Sequence, residues 1–254
     1  MRKGKFLSVI LTLMFSAILV ITNIANSAPM TFFGEDLGLG ESTPLPSWPN
    51  ALAAQTAFLS NLIGVGTENF ESFANLTSAP LNLSFPGAGT ATLNGDGAIS
   101  QVTPGTTNGF GRYATSGKNY WEATSNFNIN FSNPVAAFGF YGIDIGDFNG
   151  QVTVSYTNGT THTYTINNTI NGRGGSVLYY GFINPNEPFT NVKFGNTASG
   201  TDFFGFDDMT IGSVEQVIPV DPVPEPGTLL LLGSGLLGLI GYGKFRLHLR
   251  KKIG

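Results

Sequence analysis

From Phe70 onward, apolar and polar residues alternate in short runs separated by Gly, Asn and Thr. In "NFNINF", Phe127, Ile129 and Phe131 fall on one side and Asn126, Asn128 and Asn130 on the other. That period of two is the signature of a half-buried antiparallel strand. "QVTVSYTNGTTHTYTI" holds two such runs joined by Asn158-Gly159, a dipeptide that favours a tight hairpin turn. "PVAAFGFYG" is continuously apolar and predicts a strand buried more fully. "ENFESF", "LNLSF", "GTATL" and "AISQVT" upstream, and "SVLYYGFI", "FTNVKFG" and "FFGFDDMTI" downstream, continue the series. Strands recurring about every 8–12 residues without intervening helices predict an all-β fold, an antiparallel β-sandwich or jelly roll.

One segment breaks the alternation. Ser47 stands where it would cap a helix beginning at Trp48-Pro49 and continuing through "NALAAQTAFLSNLIG". Leu52, Leu59, Leu62 and Ile63 lie near one face, and Gly64 can end the helix. This predicts a single N-terminal helix packed on one side or end of the sandwich, preceded by a loop over "TFFGEDLGLGEST".

Unbroken apolar runs lie outside the alternating region. Phe6–Ile24 follows Arg2, Lys3 and Lys5 and precedes Ala25-Asn26-Ser27, the arrangement of a signal peptide cleaved after Ser27. The run is nearly long enough to span a bilayer, so an uncleaved anchor is the alternative. Thr228–Tyr242, interrupted by Gly233, Gly235, Gly238 and Gly241, would extend ~22 Å as a helix against a hydrocarbon core of ~30 Å. It predicts a single transmembrane segment, short for a permanent anchor. The basic residues after it belong on the cytoplasmic side, as do those of the first segment, which puts the intervening body outside the cytoplasm. Val214–Pro226 carries four prolines and predicts an extended linker. The expected divisions are 1–27 signal peptide, 28–66 loop and helix, 67–212 β-sandwich, 213–226 linker, 227–243 transmembrane segment and 244–254 basic tail.

Composition sharpens this outline. The 254 residues contain no Cys, which excludes disulfides, thiolate metal sites and a Cys nucleophile. Eight of the twelve Lys and Arg lie in the first five or last eleven residues, so the body holds four basic against sixteen acidic residues, a balance of −12. Such a body does not suit nucleic acid. Catalysis has little support: there is no nucleophile-elbow Ser motif and no phosphate-cradling Gly loop before a helix. His162, between two Thr residues of an alternating run, reads as an exposed strand residue. "GIDIGDFNGQ" (Asp144, Asp147, Asn149) lacks the register and closing Glu of an EF-hand and reads better as a turn. "GFGRYATSGKNYWEAT" concentrates Phe110, Arg112, Tyr113, Tyr120 and Trp121. Aromatic faces beside an Arg suit a glycan-stacking platform, with Tyr113, Tyr120 and Trp121 as its candidates, while core or edge packing is the alternative. Five Asn-x-Ser/Thr sequons occur, at Asn75, Asn82, Asn130, Asn158 and Asn167, and chance explains them in a chain this rich in Asn and Thr.

Val223-Pro224-Glu225-Pro226, the glycine-interrupted hydrophobic stretch and the Arg/Lys tail together resemble the PEP-CTERM protein-sorting signal. The resemblance covers about the last 30 residues. It implies a Gram-negative host that makes extracellular polysaccharide, an inner-membrane intermediate, and processing by an exosortase near the Pro-Glu-Pro. Delivery to the cell surface or to a biofilm-type extracellular matrix would follow. The body, through "TFFGEDLGLGE", "FPGAGTATL", "NPVAAFGFYGIDIGDFNG" and "FFGFDDMTIG", resembles jelly-roll surface proteins that carry this signal. That likeness implies a structural Ca²⁺ where the first and last strands meet, held by Glu68, Glu71, Asp207 and Asp208. The alternative is that these are strand-end acids bonded to backbone. Together the readings point to an exported, non-enzymatic surface or matrix protein with exopolysaccharide as a partner. The alternatives are an adhesive protein without sugar affinity and a secreted polysaccharide-active hydrolase.

Overall fold

The computed structural model describes residues 28–124, 126–145, 149–196, 202–219, 231–240 and 242. Among the described residues, thirteen strands form two sheets with antiparallel pairing. One sheet runs, in spatial order, β1 (Met30–Asp36), β11 (Val177–Ile183), β8 (Ala137–Ile143), β13 (Phe203–Gly212), β6 (Asn119–Thr124) and β5 (Ala98–Gln101). A short β2 (Thr67–Glu68) also pairs with β13. The other sheet runs β10 (Thr161–Thr165), β9 (Gly150–Tyr156), β12 (Phe189–Asn196), β7 (Phe127–Val135), β4 (Gly89–Gly95) and β3 (Leu81–Phe85).

The β10-to-β3 sheet behaves as its alternation requires. Phe127, Ile129, Phe131, Val152, Val154, Val192 and Phe194 point into a core shared with the facing sheet. Phe127 stacks on Phe194 with ring centroids 4.8 Å apart, and Phe194 meets Phe206 of β13 edge-on at 5.6 Å. Gly159, at φ +83, turns the β9–β10 hairpin.

The middle of the β1-to-β5 sheet is buried on both faces. Along β8, Phe138 and Phe140 enter the central core, while Ala137, Tyr141 and Ile143 join a second apolar cluster on the opposite face. Along β11, Leu178, Tyr180 and Phe182 divide in the same way from Val177, Tyr179 and Ile183. This second cluster is completed by helix α1 (Pro49–Leu59), through Ala51, Ala54 and Phe58.

The helix departs in part from the expected face. Leu62 is buried and Leu59 packs against the same cluster, but Leu52 and Ile63 are exposed, and the small residues Ala51 and Ala54 face the sheet with Phe58. The reason is close approach. Gly139 and Gly181 are register partners on β8 and β11, and an added Cβ would stand 3.0 Å from the Phe58 ring at Gly139 and 2.8 Å at Gly181. Phe58 therefore settles on a bare stretch of sheet, and larger residues in place of Ala51 and Ala54 would lift the helix off it. Nor does Ser47 cap the helix. Trp48 occupies the cap without a side-chain bond, and the Asp36 carboxylate at the end of β1 accepts from the Asn50 and Ala51 backbone N–H groups instead.

The expected loop over "TFFGEDLGLGEST" begins as strand β1, paired with β11 from Met30 to Asp36, so the sandwich starts well before residue 67. Pairing with a fully buried neighbour outweighs the weak strand preference of Gly34, Glu35 and Asp36. The sandwich also runs past 212. Gln216, in a 3₁₀ turn over Val214–Gln216, donates to the Gly64 and Pro86 carbonyls, and Val217 bridges to Leu62.

Residues from Pro219 onward form a separate unit, in which 231–240 and 242 are helical. Among the described residues, no helix is long and apolar enough to cross a membrane. The expected signal peptide (1–27), Val223–Pro226 and the basic tail (244–254) lie outside the described residues, as does most of the linker.

Candidate functional site

The expected glycan platform does not form. Tyr113, Tyr120 and Trp121 are all buried. Tyr120 and Trp121 are consecutive on β6 and point to opposite faces, Trp121 into the central core and Tyr120 into the second cluster. Tyr113 is held under the surface, its hydroxyl donating to the Gly175 carbonyl (2.9 Å) and accepting from the Leu45 N–H (3.1 Å). Burial pushes this hydroxyl up to about 12. Of the same stretch, Phe110 is exposed, and with Phe203 it flanks the Arg112 guanidinium, 5.7 and 5.8 Å from the two ring centroids. Arg112 itself is buried, paired with Glu122 (2.6 Å) and Asp144 (3.4 Å).

The four acids expected to hold calcium lie around the β2–β13 junction, and each accepts hydrogen bonds there. Glu68 accepts from the Phe70 N–H (2.7 Å), and Glu71 from the Lys118 and Asn119 N–H groups (2.7 and 2.6 Å). Asp207 Oδ1 accepts from the Asp208 N–H (2.8 Å), and its Oδ2 from the Thr115 N–H (2.8 Å), the Ser116 N–H (3.3 Å) and the Thr115 hydroxyl (2.9 Å). Calcium needs several bare oxygens converging on one point. Among the described residues, no three Asp, Glu, His or Cys side chains converge in that way. In this arrangement Asp207 and Asp208 pin the loop carrying Thr115 and Ser116 to the sheet, Glu71 holds its continuation at Lys118 and Asn119, and Glu68 closes on its own strand end.

Asp207 and Asp208 act together because of a bulge. Asp207 pairs with Tyr141 and Thr210 with Gly139, so β13 has one residue more than β8 over this stretch. Asp208 takes φ +47, and its carboxyl reaches the same loop as that of Asp207, accepting from the Ser116 hydroxyl at Oδ1 (2.8 Å) and lying 3.0 Å from Thr115 Oγ1 at Oδ2. Thr115 Oγ1 thus touches both carboxyls but carries one proton. Both carboxyls crowd on this one hydroxyl, and Asp207 also faces backbone N–H donors at both of its oxygens. Burial first, and then the neighbouring Asp208 charge, push Asp207 well above the usual carboxylate range. Burial pushes Asp208 up as well. The pair therefore keeps a proton longer than an isolated Asp does.

Asp208 also lines a groove of about 450 Å³ that sequence reasoning missed. The segment Pro46–Pro49 and the first turns of α1 form one wall, and Thr115 the other; Tyr141 and Asp208 rise from the sheet. Trp48 is half-buried, with its ring 6.5 Å from that of Tyr113 beneath. The Tyr141 hydroxyl donates to Gln55 Oε1 (3.0 Å), and burial, then the nearby Asp208 carboxyl, push it up to about 12. No alternation or spacing marks this site, because its residues come from four separated segments. The one feature that could have pointed to it is Trp48, with Pro46 and Pro49 close by, which the helix start had absorbed.

A second open groove, of about 490 Å³, lies along edge strand β10 and includes His162, Tyr164, Tyr156 and Glu187. His162 is exposed there, as expected. The Tyr156 and Tyr164 hydroxyls bond to each other (2.5 Å). Asp144 accepts from the Gly175 N–H and pairs with Arg112, and so belongs to the packing; Asp147 lies outside the described residues.

Comparison with known proteins bears on the C-terminal region first. The chain carries a PEP-CTERM protein-sorting motif, matched over residues 222–246. No curated protein matches. Among solved structures, the chain is similar to the K2 cleaved adhesin domain of Lys-gingipain, at 16% identity over 58% of this chain and 97% of that one, with a TM-score of 0.38. It is also similar to the CBM22-1 xylan-binding domain of Paenibacillus barcinonensis Xyn10C, at 14% identity over 61% and 96%, with a TM-score of 0.35. A family 22 carbohydrate-binding module of Clostridium thermocellum Xyn10B matches at 16% identity over 61% and 98%, with a TM-score of 0.34. Likenesses this remote carry no argument about activity.

Proposed function

We propose that this chain is an exported, non-catalytic protein of the cell surface or extracellular matrix. It passes through a membrane-anchored intermediate and is processed by an exosortase at Val223-Pro224-Glu225-Pro226. The observation that carries the reading is the sorting motif over 222–246. The acidic body is in keeping with a soluble life outside the cell. The partner of the released sandwich is extracellular polysaccharide. A hydrolase would need two facing carboxylates in a cleft. The Trp48 groove offers Asp208, while Asp207 beneath it is fully buried. Structural or adhesive service without sugar affinity is the second reading, favoured by how much of the aromatic content is committed to the core.

Mass spectrometry of both ends of the mature protein tests the sorting reading. The expected form begins after Ser27 and ends near Pro226 in a host with a working exosortase. Replacing Pro224, Glu225 and Pro226 with Ala should leave the hydrophobic segment attached. Retention of residues 227–254 on the wild-type chain in that host would sink the proposal.

A further inference from the structure

We propose that the groove between α1 and the Asp207–Asp208 bulge binds a short stretch of uncharged polysaccharide, with a sugar ring against Trp48. This rests on the polysaccharide reading above and assigns it a site and a charge class. Trp48 is the exposed-side aromatic of the groove, and it is held in place. Pro49 follows it, α1 starts at it, and the Tyr113 ring supports it from below. An aromatic fixed before binding costs little entropy when a ligand arrives. Its ring gives a sugar's C–H face a broad apolar surface, and the Leu52 side chain, more than half exposed on the same wall, extends it.

The polar groups decide the class of ligand. Gln55 is oriented by the Tyr141 hydroxyl, Asp208 by Thr115 and Ser116. The Gln55 amide donates as well as accepts and the Asp208 carboxyl accepts, which suits hydroxyls that do both. A purely apolar ligand would strip these groups of water without replacing the bonds. The lining holds no Lys, Arg or His, and the body's balance is −12, so an anionic polymer meets no counter-charge. The donors already seated on Asp207 and Asp208 leave no cluster of bare oxygens for a metal. A neutral sugar chain answers all of these conditions.

The chain has two Trp residues, and Trp121 is fully buried, so a soluble quencher such as acrylamide reaches Trp48 alone. The full chain, held in a detergent without a sugar headgroup, would be titrated with three probes. These are neutral oligosaccharides of xylose, glucose, galactose and mannose; uronic-acid oligosaccharides; and a peptide of residues 217–226. Calorimetry would follow binding alongside fluorescence. The expected result is binding of a neutral oligosaccharide that at least halves acrylamide quenching. Gln55→Ala and Leu52→Ala, which touch exposed or half-exposed positions and leave the core intact, should each weaken it about tenfold. If a neutral sugar binds but quenching and both variants are unchanged, the groove assignment falls and the polysaccharide reading stands. Protection of Trp48 by the uronic acids or the peptide in place of neutral sugars overturns the ligand class. No binding of any sugar ends both.

Discussion

At the scale of single residues, the Asp207–Asp208 pair shows how position alters chemistry. Both carboxyls sit higher in the folded chain than in the unfolded one. Their contribution to stability is therefore fully present below the ordinary Asp value of about 3.9 and is lost as pH rises through the folded values. Thermal unfolding should accordingly fall in midpoint from pH 4 to pH 8. Asp208→Asn mimics the protonated acid: its amide can donate to Thr115 Oγ1 while its oxygen still accepts from Ser116. It should flatten that pH dependence and unfold no earlier than wild type at pH 8. Asp207→Asn turns an amide N–H toward fixed backbone N–H donors and should cost about 1–3 kcal/mol at any pH. Equal losses in the two variants would contradict this difference between the two carboxyls. The pair was legible in the sequence only as two adjacent acids near the end of a strand. That both reach one hydroxyl depends on the bulge, and a bulge of one residue leaves no mark in an alternating pattern.

Among the elements, α1 and the tail of the sandwich carry the clearest departures from the alternation rule. The helix was legible from Pro49 and from its composition, but only part of its buried face was, at Leu59 and Leu62. Counting large apolar residues selects Leu52 and Ile63, whereas the glycine floor selects Ala51, Ala54 and Phe58. Phe58→Ala should destabilise by about 3–5 kcal/mol, as for a fully buried aromatic. Gly181→Val should prise the helix away, giving proteolysis near residues 45–60 before global unfolding. Denaturant titration with Trp48 fluorescence would separate the two events. At the other end, a chain stopped at Gly212 would lose the Gln216 bonds to Gly64 and Pro86 and the Val217–Leu62 bridge, while one stopped at Ile218 keeps them. The shorter truncation should unfold at a clearly lower temperature. Equal midpoints would show that these closing contacts carry no weight. A fall in hydropathy after Ile211 gives no hint of them, because they are made by one glutamine and two backbone carbonyls.

Across the whole molecule, the sequence by itself determined the fold class and carried the sorting motif. Alternation with period two requires sheets with one buried face, the Asn158-Gly159 hairpin requires antiparallel neighbours, and the motif at 222–246 is a linear signal. Such features are local, and a local pattern survives without knowledge of the rest of the chain. Only the tertiary structure decided which sheet is covered twice, that "TFFGED" adds a strand at an edge, and that Tyr120 and Trp121 are core. It also decided that Trp48, Gln55, Thr115, Tyr141 and Asp208 share a groove. Those outcomes join segments up to 160 residues apart, and no pattern along one segment encodes the face another will present to it.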